Sequence, residues 1–289
     1  MKKFRKITIT CTSLSKEVTE IIDQCTEVLQ NIDVEIISIL NLSDYRKKTP
    51  SKKNHLKSVA SKSDLIISIG GDGTMLSCSR DLGYFGVPIL GINLGNLGFL
   101  TDIAPEEITS SLVKVVKGKY SKEKRSFLET TLPKVQMKLL ALNEVVIHSG
   151  AVAKLIEYEV FIDNIFVYRQ KADGLIVNSP TGSTAYALSG GGPIIHPNLK
   201  SITLLPMFPH SLNSRPLIIK DDSEILIEVI GRNDKARLSV DSHNSVNLKK
   251  GDRIKIKKSR EDLTLIHPKE HNFFSACRNK LGWSAGITS

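Results

Sequence analysis

Long apolar runs are missing from this chain. No stretch approaches the ~18 residues that a membrane helix requires, so no membrane partner is expected. The start, Met1-Lys2-Lys3-Phe4-Arg5-Lys6, is basic like a secretory leader. The following Ile7-Thr8-Ile9-Thr10-Cys11-Thr12 is too short and polar for a leader's apolar core and is expected to form the first strand. Cysteine is scarce. Cys11, Cys25, Cys78 and Cys277 have neither zinc-ligand nor redox spacing, which excludes a disulfide framework and makes a reducing cytoplasm the expected setting. EF-hand and His-rich motifs are absent, so no metal is expected on protein ligands alone. Aromatic residues are only 6%. There is no RNA-binding aromatic pattern, no zinc finger and no basic helix leading into heptads, so nucleic acid is not the expected partner. The net charge of +10 suits small polyanions such as nucleotides equally well. Internal repeats and low-complexity segments are also lacking.

What is present is a globular composition over 289 residues, with 40% hydrophobic and 24% charged. The first half alternates strand and helix patterns. Strands are expected at Ile7 to Cys11, Val34 to Leu40, Leu65 to Ile69 and Val87 to Ile92. Helices are expected at Ser15 to Gln30, Thr74 to Leu82 and Pro105 to Val116, and the lysines from Arg46 to Lys57 are expected in a solvated loop. That alternation predicts a parallel sheet covered on both faces. From about Phe127 the β-branched runs come without helices between them. Tyr158 to Tyr168 alternates around Asp163-Asn164, a hairpin signal. Ile225 to Ile230, Ala236 to Val240, Arg253 to Ile256 and Leu263 to Ile266 follow as further strands. The expected architecture is an α/β N-terminal domain, residues 1–125, and a β-rich, sandwich-like C-terminal domain, residues 126–266. Residues 267–289 are expected to be a tail docked on the fold or on a neighbouring subunit.

Three stretches carry chemistry. Gly70-Gly71-Asp72-Gly73-Thr74 follows an apolar strand and precedes a helix, the place where α/β sheets bind ligands. Its glycines allow backbone N–H groups to approach phosphate oxygens, so Gly70, Gly71, Gly73 and Thr74 are candidate donors to a triphosphate. No lysine follows, so the loop is not of the Walker type. A carboxylate among phosphate-binding glycines repels the ligand. Asp72 therefore either accepts a proton from an attacking hydroxyl or caps the next helix. A second loop, Gly91 to Thr101, again follows a strand, and its three glycines indicate tight turns or close backbone approach to a ligand. The third stretch, Asp173 to Pro193, is dense in Ser, Thr and Gly, with Tyr186 able to stack on a base.

Together these residues resemble the bacterial ATP-dependent NAD kinase family. The Gly-Gly-Asp-Gly-Thr loop alone is shared with diacylglycerol and sphingosine kinases. The resemblance rests further on Gly91-x-Asn93-x-Gly95-x-Leu97-Gly98-Phe99-Leu100, on Asn143-Glu144 and on Ser179 to Tyr186 with Gly191-Gly192-Pro193-Ile194. Pro209-His210-Ser211-Leu212 with Arg215-Pro216 also fits. The resemblance implies transfer of the γ-phosphoryl of ATP to the adenosine ribose 2′-hydroxyl of NAD. Asp72 would be the proton acceptor, with Asp72 and Gly73 at the substrate. It implies that Asn143 and Glu144 bind NAD, that Asp173 lies beside it, and that Thr184, Ala185, Tyr186 and Ser189 line adenine and ribose. Lys154 and Lys171 stand where arginine is frequent, keeping the charge without a bidentate grip. His243 stands where glutamine is common. Magnesium is expected to arrive as the nucleotide chelate. A homo-oligomer is expected, a tetramer before a dimer. The alternatives are a lipid kinase, against which the polar Thr181 to Ser189 segment speaks, and a non-catalytic dinucleotide sensor.

Overall fold

The computed structural model describes residues 4–46, 49–95, 98–133, 137–150, 154–231 and 235–283. The chain forms two compact units: residues 1–124 with 261–289, and residues 125–260.

The first unit runs β1 (Lys6–Cys11), α1 (Lys16–Asn31), β2 (Glu35–Asn41), α2 (Pro50–Lys62), β3 (Leu65–Ile69), α3 (Asp72–Asp81), β4 (Ile89–Ile92) and α4 (Ile108–Val116). Its strands pair in parallel in the order β2-β1-β3-β4. Helices cover both faces, so β3 is buried along its whole length and reads as an unbroken apolar run. Helix α1 buries Val18, Ile21, Ile22, Cys25, Val28 and Leu29 on one face, and Ser15 caps it by accepting from the Val18 amide. The connection β1 to β2 moves one way along the sheet, while β3 lies on the other side of β1. The order therefore reverses between β1 and β3, and such a switch point leaves a crevice beyond the strand ends. Gly70 to Thr74 follows β3 at that point.

The second unit holds β6 (Met137–Ala141), β7 (Glu144–His148), β8 (Ile156–Ile162), β9 (Ile165–Ala172), β10 (Gly174–Asn178), a four-residue α5 (Tyr186–Ser189), β11 (Ser201–Met207), β12 (Leu217–Lys220), β13 (Ile225–Val229), β14 (Arg237–Val240) and β15 (Asn244–Asn247). The chain passes between units inside two long strands, β5 (Tyr120–Leu132) and β16 (Arg253–Pro268), and ends on α6 (Phe273–Leu281) in the first unit. Two antiparallel sheets form a sandwich: β9-β8-β13 with the first part of β16, and β12-β11-β10-β7-β14-β15. Val160, Ile225, Ile227 and Ile254 from the first meet Val145, Ile147, Leu175 and Leu238 from the second in one core. Asp163 and Asn164 take positive φ in the β8–β9 turn, as a tight hairpin requires. No helix among the described residues is long and apolar enough to cross a membrane.

Three sequence expectations differ from the structure. The segment expected as a loop from Arg46 to Lys57 contains most of α2, with Thr49 as cap and Pro50 in its first turn. Lys47 and Lys48 lie outside the described residues. Only Leu56, Val59 and Ala60 of α2 are buried, a stripe too thin to give a clear helical period among the lysines. The runs Arg253 to Ile256 and Leu263 to Ile266 are one strand, β16. Its end departs from the β-domain expected to reach residue 266. Leu265 and Ile266 pair in parallel with Ile89 and Leu90, so this part of β16 belongs to the first unit.

Candidate active site

The first glycine loop is shaped partly by the fold and partly by something else. Gly70 has φ +144, and a Cβ there would lie 2.4 Å from Thr74 Oγ1, so the turn itself demands glycine. Among the described residues beyond the chain neighbours and the helix's own backbone, nothing lies within 4 Å of a Cβ added at Gly71 or Gly73. No described contact requires these two to be glycine, and their bare backbones leave room beside the loop. The helix-cap reading of Asp72 fails. Gly71 occupies the cap position of α3, and Asp72 is the helix's first residue. Its carboxylate instead accepts from two backbone amides of the second loop, Oδ2 from Phe99 and Oδ1 from Leu100, both at 3.0 Å. Thr74 is tied across to the end of β1 through the Thr12 hydroxyl at 2.9 Å.

The second loop explains its own glycines. At Gly98 a Cβ would sit 2.1 Å from Asp72 Oδ1, and at Gly91 one would meet the Leu100 carbonyl at 2.7 Å. Gly95 takes φ +106 in the turn, where the Asn93 side chain accepts from its amide. The close approach read from sequence at Gly91 and Gly98 is thus filled by protein. Asn96 and Leu97 lie outside the described residues. Beyond the loop, Asp102 is almost buried and holds two histidines, His267 and His271, one on each carboxylate oxygen. Their rings stack 4.0 Å apart, and the second ring nitrogen of His267 faces Glu123 at 3.1 Å. Burial alone would lower the His267 pKa, but Asp102 and Glu123 outweigh it and push it up to about 9. Burial would likewise raise Asp102, and the two histidines hold it well below the usual carboxylate range. The ligand-type atoms of Asp102, His267 and His271 lie within 4.8 Å of one another. His267 bridges Asp102 and Glu123 while His271 holds the other Asp102 oxygen, so the cluster ties the end of β16 and the start of α6 to the segment after the second loop. The histidine pair four residues apart was its only sequence signal.

In the second unit, Glu144 opens β7 directly after Asn143, and both are buried. A residue missed in the sequence sets them there. Asp241 is buried and accepts from the amides of Leu142, Asn143 and Glu144 at 2.8, 2.9 and 3.1 Å. It lies two residues before His243, with φ positive at Asp241 and Ser242. The neighbouring Ser179 to Thr184 segment is fastened to the same backbone. The Ser179 amide donates to the Asn143 carbonyl at 2.9 Å, and a Cβ on Gly182 would lie 2.3 Å from that oxygen. Burial pushes the Glu144 pKa up to about 8, the Asp241 carboxylate adds to this, and the Tyr186 amide opposes it. Burial thus favours the uncharged form of Glu144, which offers an O–H donor as well as acceptors.

Asp173 and Tyr186 come together on one cleft of about 430 Å³, with His148, Ser149, Ser239 and Ser242. Tyr186 also borders a second cleft of about 640 Å³ with Ser189, Pro209, Arg215 and Pro216, which gathers two further sequence motifs. Thr184 and Ala185 lie in the turn leading to α5, where the Ala185 amide donates to the Gly182 carbonyl at 3.0 Å. Among the described residues lining these clefts, Lys154, Lys171 and His243 do not appear. Lys154 is exposed, and Lys171 stands on β9 with its ammonium 3.9 Å from Glu157. His243 is exposed at its turn, its ring Nδ1–H donating to the Asp241 carbonyl at 2.6 Å.

Comparison with known proteins identifies the family of the whole chain. The family model for the ATP-NAD kinase N-terminal domain matches residues 7–120, and that for the C-terminal domain matches residues 142–268. An NAD kinase of Teredinibacter turnerae is 47% identical over 94% of this chain and 92% of its own. One from Alcanivorax borkumensis is 41% identical over 98% and 96%. Among solved structures, yeast NADH kinase complexed with NADH superposes with a TM-score of 0.85 at 25% identity, covering 99% of this chain and 92% of that one. An NAD kinase from Archaeoglobus fulgidus in complex with ATP gives 0.75 at 28% identity, covering 96% and 97%. The chain belongs to the NAD kinase family.

Proposed function

We propose that this chain transfers the γ-phosphoryl group of ATP to the 2′-hydroxyl of the adenosine ribose of NAD, giving NADP and ADP, with Asp72 receiving the hydroxyl proton. The observation that carries this reading is the Asp72 loop at the switch point. Two of its glycines, Gly71 and Gly73, leave open space that no packing among the described residues demands, next to a carboxylate held in place by two amides. Phosphoryl transfer needs positioning and charge neutralisation more than covalent chemistry. The loop backbone holds the triphosphate, the ribose oxygen attacks the γ-phosphorus, its proton passes to Asp72, and ADP leaves. Magnesium arrives on the nucleotide, where it neutralises phosphate charge. Magnesium keeps several waters and binds mainly through substrate phosphate oxygens. Turnover that survives excess EDTA would overturn the magnesium assignment.

On the acceptor side, Asn143, Glu144, Asp173 and Thr184 to Ser189 recognise NAD. An uncharged Glu144 can donate to and accept from ribose or amide groups without repelling the pyrophosphate. Lys154, Lys171 and His243 act from exposed positions as neighbouring charge and polar groups. The serines and histidine around Asp173 do not suit a lipid acceptor. A homo-oligomer, a tetramer before a dimer, accords with β9 ending its strand order while exposing Ile165, Phe166 and Val167. Light scattering should give a mass well above 31.9 kDa. The deciding experiment is NADP formation from NAD and magnesium ATP, followed with an NADP-dependent dehydrogenase. Phosphorylation of diacylglycerol instead, or tight binding of both nucleotides without turnover, would overturn the proposal.

A further inference from the structure

We propose that Lys280, in the last turn of the C-terminal helix, is a positioning residue of the phosphate loop, neutralising Asp72 so that a polyphosphate can approach. The inference rests on the kinase reading of that loop. Neither glycine loop carries a lysine between Gly70 and Thr74 or between Gly91 and Thr101, yet the first contains a carboxylate that repels phosphate. The fold brings a cation from elsewhere in the chain. Lys280 Nζ lies 3.5 Å from Asp72 Oδ2, and 4.9 Å from the centre of the Phe99 ring. The Phe99 amide is itself one of the two that hold Asp72. A cation over an aromatic face and beside a carboxylate is fixed by two partners. Its side chain is 31% exposed, against 92% for Lys16 in a surface ion pair.

The helix that carries Lys280 is anchored for this purpose at its other end. Asn272 caps α6 by accepting from the Phe274 and Ser275 amides, and Ala276 and Cys277 are buried. His271, just before the cap, is bound to Asp102, which directly follows the second glycine loop. The helix is thus attached to that loop at its start, through His271 and Asp102, and at its end, through Lys280, Phe99 and Asp72. A lysine near a helix C-terminus also favours the helix dipole, and that role alone would be indifferent to Asp72.

The test is a double-mutant cycle in magnesium ATP binding, measured calorimetrically on the full chain with Lys280→Met, Lys280→Arg, Asp72→Asn and the combined Lys280→Met/Asp72→Asn protein. Lys280→Met should weaken ATP binding about tenfold, and Lys280→Arg should stay within about threefold of the parent. In the Asp72→Asn background the same Lys280→Met change should cost less than about threefold, because no carboxylate remains to be neutralised. Binding of NAD should hold within about twofold in Lys280→Met and Lys280→Arg. Unchanged ATP binding in Lys280→Met, or an equal loss in both backgrounds, would overturn the proposal. Should Lys280→Met fail to fold, Lys280→Gln gives the same comparison. A parent protein that binds ATP but forms no NADP would instead sink the NAD kinase reading, and the cycle distinguishes the two failures.

Discussion

Replacing Asp72 by asparagine separates chemistry from architecture because the structure assigns both to one carboxylate. The two oxygens accept from Phe99 and Leu100 amides at 3.0 Å, and Lys280 stands 3.5 Å away. A carboxamide of the same shape has one oxygen and one NH2. It keeps one amide partner and turns a donor toward the other, and it no longer balances the lysine. A hydrogen bond to a charged group contributes about 1.5–3 kcal/mol, less where solvent reaches it, and Asp72 is about one-third exposed. A loss of about 1–2 kcal/mol is therefore expected, lowering Tm by roughly 2–3 °C at this chain size. The chemical loss is larger. A positioned general base contributes about 10²–10⁴ in rate, so kcat for NADP formation should fall by about that factor below the melting range. NAD affinity should change less than about tenfold, or roughly 1.4 kcal/mol. Calorimetry and steady-state kinetics on the same preparation read both quantities. A folded Asp72→Asn protein with near-normal kcat would refute the proton-acceptor role. An unchanged Tm would refute the claim that the carboxylate clamps the two loops.

Gly73→Ala should leave Tm unchanged or raise it, since the position is helical, open and costs up to about 1 kcal/mol as glycine. It should nevertheless raise the apparent KM for ATP severalfold, and unchanged ATP kinetics would mean that the space is not used by nucleotide. Asn143→Ala and Asp173→Ala should raise KM for NAD far more than for ATP, because each removes polar partners worth about 1–3 kcal/mol; equal effects on both substrates would remove them from the acceptor site. Thermal stability should decline as pH rises from about 6.5 to 9. Glu144 is raised to about 8 and His267 to about 9 in the folded state, so the folded chain holds more protons than the unfolded one in this window. Asp102 works from the other side, its contribution lost only as pH falls below the ordinary carboxylate range. A Tm that stayed level or rose from pH 6.5 to 9 would contradict these assignments, and His267→Gln should flatten the decline above pH 8.

Local patterning was enough to reveal the α/β half. The period of Val18 to Leu29 and the unbroken apolar run Leu65 to Ile69 each depend on which faces a single element buries. The same holds for Asp163-Asn164, where a backbone conformation tolerated by those two side chains marks the turn. The Asp72 loop was legible as a candidate site because glycines and a carboxylate after a strand are chemically costly without a purpose. Sequence left Asp72 as either a helix cap or a proton acceptor, and only the approach of Phe99 and Leu100 removed the cap reading. Helix α2 was hidden because three buried residues among lysines leave almost no periodic signal. The continuous β16 was hidden because parallel pairing with Ile89 and Leu90 brings together segments far apart in the chain. Asp241 beneath Asn143 and Glu144, and Lys280 beside Asp72, were beyond any local reading. Each acts on a partner remote in sequence, and burial and charge at such a site are set by long-range packing, which spacing along the chain does not encode.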